Sequence, residues 1–307
     1  MSILVVGSIA LDTVETPFGK AEEALGGAAV YFSYAASFFG HVRLVGVVGK
    51  DFPEEHLKLL ESRDIDLSGL ERAGGATFRW KGRYDYDLNE AHTLDTQLNV
   101  FETFAPEIPD QFKDSDFVFL ANIQPALQLQ VARQVKAPRI IACDTMNFWI
   151  ESAYDQLRET LEAVDILVIN DAEARELARE PSLVKAARQI LKWGPQTLVV
   201  KRGEYGVLMF TDHSVFSAPA YPLEDVYDPT GAGDTFAGGF MGYLSTQEEI
   251  NEMAIRQAIV FGSTLASFNV EDFSLGRMKS LTMQDILGRF AEFKLLSHFE
   301  EVEDAGL

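Results

Sequence analysis

Residues Asp228–Phe240 read DPTGAGDTFAGGF. Asp228-Pro229-Thr230 cannot continue a helix, because proline fixes φ and lacks an amide proton. Gly231, Ala232 and Gly233 then offer consecutive backbone N–H groups with little side-chain bulk. From Asp234 to Leu244 the pattern turns helical, with Phe236, Phe240 and Tyr243 at helical spacing. Small residues at a helix N-terminus form an anion site, since free amides and the helix dipole point at the bound charge. A carboxylate in that first turn would repel a phosphate. Asp234 makes better sense as a base beside the phosphate, taking a proton from an attacking hydroxyl. The plainer alternative is a loop and a capping aspartate. The length of the string, and its place after a strand series and before an amphipathic helix, favours chemistry.

Upstream of this stretch, short apolar runs alternate with helical patterns. The expected strands are Ile3–Val6, Val42–Val48, Phe117–Leu120, Ile140–Cys143, Ile166–Ile169 and Thr197–Val200. They are apolar on both faces, as strands of a covered parallel sheet should be. Helices are expected over Ala28–Phe39, Pro53–Ser62, Leu127–Val135, Ala153–Ala163, Ala172–Arg179 and Leu183–Trp193. Val207–Phe210 and Ser214–Ala218 flank Thr211–His213 as a closing hairpin. The alternation predicts a doubly wound, mostly parallel α/β sheet flanked by helices, a single domain over 1–307. One segment breaks the pattern: Thr77–Phe101 is polar and aromatic, without a long helix period. It reads as two or three strands outside the main sheet, and segments 13–25 and 76–101 are expected to form a small β lid. Phe78, Trp80, Tyr84 and Tyr86 alternate and should share one strand face, either packing on the domain or stacking on a base. The tail Glu300–Leu307 is acidic and expected to fray.

Composition narrows the function classes. The chain has 307 residues, 47% hydrophobic, with a formal net charge of −21. That field repels nucleic acid and anionic lipid, and any nucleotide phosphate would need local positive potential. Met1–Gly7 lacks a basic n-region and reads as a first strand, not a signal peptide. No apolar run reaches the roughly 18 residues of a membrane span. The expectation is a soluble, cytoplasmic protein. The single cysteine, Cys143, excludes an internal disulfide, and the five histidines show no metal spacing.

With these elements in place, Asp228–Asp234 closely resembles the second signature of the ribokinase-like family, the phosphofructokinase-B carbohydrate kinases. That signature usually reads Asp-Thr-Thr-Gly-Ala-Gly-Asp, and Pro229 departs from it at the second position. The resemblance implies ATP-dependent transfer of the γ-phosphoryl group to a hydroxymethyl group of a sugar or related small alcohol. Asp234 would be the general base, with Gly231, Ala232 and Gly233 as the anion hole. The element order agrees along nearly the whole chain.

Four further motifs fall where the resemblance expects them. Gly26-Gly27 lies ahead of a helix; paired glycines suit close ligand approach or a helix cap, and the resemblance implies the sugar site. Tyr31 stands where the family commonly has an asparagine that contacts substrate, so ordinary ribose recognition is not expected. Asp12 follows the first strand, facing the crevice where α/β sheets bind ligands; it is either a sugar-binding carboxylate or a surface turn residue. Asn99, at the end of the lid segment, joins the substrate set. Asn170-Asp171-Ala172-Glu173 looks like the family's Asn-x-x-Glu motif, implying Asn170 at the nucleotide and Glu173 at Mg2+ through water; it also reads as a capped helix start. Lys201, Gly203 and Gly206 resemble the turn that passes the nucleotide, and Thr230 belongs with them. Helix Ile255–Phe268 falls where the family contacts adenine, with Gly262 bordering the base. The string after it, Asn269–Gly276, departs from the forms that hold a monovalent cation (K+). A nucleoside kinase of the same fold, and a non-catalytic ligand-binding protein on this scaffold, stay open. A dinucleotide oxidoreductase does not fit, for no G-x-G-x-x-G follows the first strand. A homodimer through the exposed lid is the expected assembly.

Overall fold

A computed structural model describes residues 1–298; the acidic tail lies outside them. In chain order the strands are β1 (Ser2–Val6), β2 (Ala10–Thr16), β3 (Gly19–Gly26), β4 (His41–Val48), β5 (Ile65–Arg72), β6 (Phe78–Tyr84) and β7 (Ala91–Gln97). Then come β8 (Phe117–Leu120), β9 (Ile140–Cys143), β10 (Ile166–Asn170), β11 (Thr197–Lys201), β12 (Val207–Phe210) and β13 (Val215–Ala218). The α-helices are α1 (Ala28–Ala36), α2 (Glu54–Glu61), α3 (Pro125–Gln134), α4 (Asn147–Ser152), α5 (Tyr154–Leu161), α6 (Asp171–Ala178), α7 (Leu183–Leu191), α8 (Ala232–Leu244), α9 (Glu252–Asn269) and α10 (Met283–Ser297).

Nine strands form the main sheet in the order β13-β12-β11-β10-β9-β8-β1-β4-β5. It is parallel from β11 to β5, and β12 and β13 close it antiparallel. Alternate side chains of each central strand enter two separate cores. Ile3, Val5, Phe117 and Phe119 pack under α1, α8 and α9. Leu4, Val6, Val118 and Leu120 pack under α5, α6 and α7. Both faces being dry explains why these strands are continuous apolar runs.

Chain order reverses between β8 and β1, which lie side by side. That switch point opens a crevice at the carboxyl ends of the strands. Over it stands a second sheet of four strands, ordered β3-β2-β6-β7, drawn from residues 10–26 and 78–97. β2 and β6 pair in parallel, Asp12 opposite Trp80 and Ala10 opposite Phe78.

Several expectations need amendment. β5 was not foreseen: its sequence, IDLSGLER, is half exposed at the sheet edge and carries no strong alternation. Asp12 does not lie on a loop after β1 but within β2. Tyr86 is off the aromatic face, beyond the end of β6 and 86% exposed, while Phe78 stacks on Phe101 with centroids 5.3 Å apart.

The glycines of FAGGF, with Gly242 two residues beyond, explain how α8 is aimed. A Cβ on Gly238 would overlap the Phe32 carbonyl, and one on Gly242 would meet Ala36, both on α1. On its other flank Gly239 faces α9, where an added Cβ would come within 3.1 Å of the Gly262 Cα. With these flanks bare, α8 lies tight between α1 and α9, and its N-terminus points into the crevice.

Candidate active site

The α8 N-terminus is the centre of the site. Gly231 is its N-cap at φ 73, a left-handed conformation that costs glycine little. The Ala232 N–H is given to the Pro229 carbonyl at 3.1 Å, while the amides of Gly231 and Gly233 have no backbone partner among the described residues. Beneath the cap lies Tyr31 of α1, 2% exposed, its ring so close to Gly231 that any side chain there would overlap it. Beside Gly233 lies the Lys201 ammonium, 2.8 Å from where a Cβ would stand. Asp234 follows in the first turn. Burial pushes its carboxyl up to about 6, against the pull of Lys201.

Side chains of the loop itself, of α9 and of β6 brace the stretch before α8. Asp228 is buried; its Oδ1 accepts the Thr230 N–H at 2.9 Å and its Oδ2 the Ser274 N–H at 3.3 Å. Asn269, at the end of α9, donates to the Thr230 carbonyl at 2.9 Å and accepts from the Thr235 hydroxyl at 3.1 Å. The Thr230 hydroxyl donates to the Tyr84 phenol of β6 at 3.3 Å. Asn269 and Asp228 were not singled out as site residues from sequence. The only signal was their place at the ends of a helix and of the glycine motif.

Asp12 approaches from β2. Its carboxylate lies against Gly26, where any Cβ would overlap it, and it accepts the Gly27 amide. Burial raises its pKa to about 7; the Gly27 amide opposes this, and the charges of Asp228 and Asp234 add to it. Gly27 itself sits at φ 95, with the Ser8 carbonyl and Ala10 amide where a side chain would go. The first amides of α1 are taken by Ser8, so that helix start is no anion site.

On the other side of Asp234 lie two more carboxylates. Asn170 and Glu173 form a reciprocal cap on α6: each backbone N–H donates to the other's side chain at 2.8 Å. The helix-start reading of this motif therefore holds, and Glu173 retains a second oxygen. Asp144, just after β9, is 5% exposed with one oxygen lacking any partner. Burial raises the pKa values of both, the charge of Asp234 adds to the rise, and Lys201 opposes it. Asp144 was missed, although it obeys the rule that drew notice to Asp12: an acid at the carboxyl end of a buried strand. A buried oxygen without a donor beside half-buried Glu173 suits a hard cation that keeps most of its waters. Among the described residues no three His, Cys, Asp or Glu converge as a full metal cage.

Two expected residues stand apart. Asn99 is exposed, adopts a left-handed φ of 51, and donates its amide to the Thr77 carbonyl at 2.9 Å. It sits in the turn that follows β7, its side-chain amide engaged with the main chain. Gly262 is buried in the α8–α9 crossing against Phe236, so its small size serves helix packing. Gly203 and Gly206 take φ 54 and 81 in the turn between β11 and β12, and Asn89 of the β6–β7 turn approaches Gly203. In the segment after α9 the polar groups are engaged internally: Ser274 with Asp228 and the Leu25 carbonyl, Phe273 with Asp272.

The family described as pfkB family carbohydrate kinase matches residues 2–280. A cytidine kinase from Thermococcus kodakarensis is 31% identical over 258 residues, covering 82% of this chain and 91% of that protein. A nucleoside kinase from Burkholderia thailandensis, solved in complex with inosine, superposes with a TM-score of 0.77 at 20% identity, covering 96% of this chain and 98% of that one. A ribokinase from Cryptococcus neoformans var. grubii, solved with ADP, gives 0.75 at 22%, covering 94% and 99%.

Proposed function

The chain belongs to the pfkB family of carbohydrate kinases, and from that premise we propose that it transfers the γ-phosphoryl group of ATP to the ribose hydroxymethyl of a nucleoside. It is a phosphotransferase with an alcohol acceptor. The observation that carries the finer reading is the convergence of Asp12, Asp234 and the Gly231–Gly233 turn in one crevice under the small sheet. The similarity to a cytidine kinase at 31% identity favours a nucleoside over a free sugar. So does the aromatic face that Trp80 and Tyr84 share with Asp12.

In this reading Asp12 accepts hydrogen bonds from the ribose diol, and Gly26 leaves room for its carboxylate. Asp234 takes the hydroxymethyl proton as the oxygen attacks. A base raised to about 6 is ionised at neutral pH yet basic enough to hold the proton in the transition state. Charge building on the transferring group meets the amides of Gly231 and Gly233 and the Lys201 ammonium. That fixed cation answers a need set by a chain of charge −21. Mg2+, held by Asp144 and Glu173 through water, would supply further neutralisation of the phosphates. The small sheet, acting as a lid, excludes water from the reaction.

The test is ATP consumption by the purified protein with Mg2+ across cytidine, inosine, other nucleosides, ribose and sugar phosphates, with Asp234→Asn alongside. Turnover on a nucleoside, lost about a thousandfold in the variant, is expected. Turnover confined to free sugars would restore the carbohydrate reading. Tight ligand binding without turnover would mean a binding protein on a kinase scaffold.

A further inference from the structure

The hydrogen-bond partners of Thr230, on which the anion hole depends, come from the body of the protein with one exception. The Thr230 N–H goes to Asp228 at 2.9 Å and its carbonyl receives Asn269 at 2.9 Å. Gly231 rests on the Tyr31 ring. The remaining handle is the Thr230 hydroxyl, and its partner is Tyr84, on the small sheet. The rest of that sheet lands on the same stem. Phe18, at the β2–β3 turn, meets Tyr227 edge-on with ring centroids 6.0 Å apart. Gly19 lies against Phe273, and the Ser274 hydroxyl donates to the Leu25 carbonyl. The sheet therefore touches the loop that carries the amides as well as covering the acceptor.

We propose that Tyr84 is a positioning residue: through the Thr230 hydroxyl it makes the geometry of the Gly231–Gly233 amides depend on the small sheet being docked. This rests on the reading of those amides as the anion hole. The Tyr84 phenol is the one lid group hydrogen-bonded to the catalytic loop itself among the described residues. Tyr31 acts as its backstop, since Gly231 cannot retreat into a space the ring fills. A free acceptor site, with the sheet undocked, would leave Thr230 without this bond and the amides less well ordered. Phosphoryl transfer to water would then be slow when no acceptor is bound. Burial raises the Tyr84 pKa to about 12, so the phenol stays protonated throughout the working range.

The test pairs Tyr84→Phe with Thr230→Val, singly and together, with cytidine or whichever acceptor the panel selects. Phenylalanine keeps the ring, so melting temperature should hold within a few degrees. Each single change should lower kcat about tenfold, with KM for ATP little altered in Tyr84→Phe, and the double variant should be no worse than the worse single one. Hydrogen exchange supplies a readout that needs no acceptor: amides of residues 230–235 should exchange several-fold faster in Tyr84→Phe. Unchanged exchange with unchanged kcat, or single effects that multiply, would overturn the proposal. If Asp234→Asn turns over normally, the catalytic reading fails instead, and the exchange result still judges the contact itself.

Discussion

As the proposed base, Asp234 must be unprotonated to take the acceptor's proton, so the acid limb of activity should follow the burial that raises its pKa to about 6. kcat should fall as pH drops below that value and level off above it. Asp12, raised to about 7, adds a second limb: KM for the acceptor should rise as pH falls through 7, and Asp12→Asn should abolish that limb while weakening binding at every pH. The same shift has a stability sign. A carboxyl whose folded pKa lies above its unfolded value stabilises the fold below about pH 4, and that contribution is lost as pH rises to 7. The melting-temperature advantage of Asp12→Asn should therefore grow from pH 4 to pH 7 and stay flat beyond, as thermal scans would show. What the sequence disclosed at this scale was what a motif could carry. Gly231–Asp234 announced itself by composition. Asp144 did not, because one acid after an apolar strand looks like any turn. Asn99 shows a related limit: nothing local separates a polar ligand from a polar residue in a left-handed turn.

Helix α8 is the element that turns packing into chemistry. Its glycine flanks let it lie between α1 and α9, and this fixes where its first amides point. Gly239→Val should press on Leu265 and on Gly262 across the crossing. Overpacking of this kind costs roughly 1–3 kcal/mol, which denaturant titration would register, and activity should fall with it. Gly231→Ala should behave differently, with modest loss of stability and severe loss of kcat, because the ring of Tyr31 forces the cap itself out of place. The helices and central strands were legible because burial on both sides writes an unbroken apolar run. β5 was not, for its exposed residues dilute the alternation with Asp, Ser and Glu.

At the scale of the whole molecule, an excess of 21 negative charges opposes the approach of an anionic nucleotide. The opposition is long-ranged and screened by salt, with a Debye length of about 30 Å at 0.01 M and 8 Å at 0.15 M. KM for ATP with Mg2+ should therefore fall as ionic strength rises across that interval, the reverse of a site that steers its ligand in. Constant KM would mean that the local field of Lys201 outweighs the rest of the surface. No helix among the described residues is long and apolar enough to cross a membrane.

The pairing of β2 with β6 reaches beyond the site. These strands run parallel, and between them the chain must build β3, α1, β4, α2 and β5. Parallel pairing across so long a span is slow to find, since the loop must close before any contact rewards it. The small sheet should be the last part of the N-terminal half to assemble. In a refolding experiment the burial of core aromatics should run ahead of the recovery of turnover. A circular permutant opened between β5 and β6 should fold its main sheet yet pair these two strands poorly. The small sheet is written into the chain as two distant pieces, so no short insertion or deletion could add or remove it.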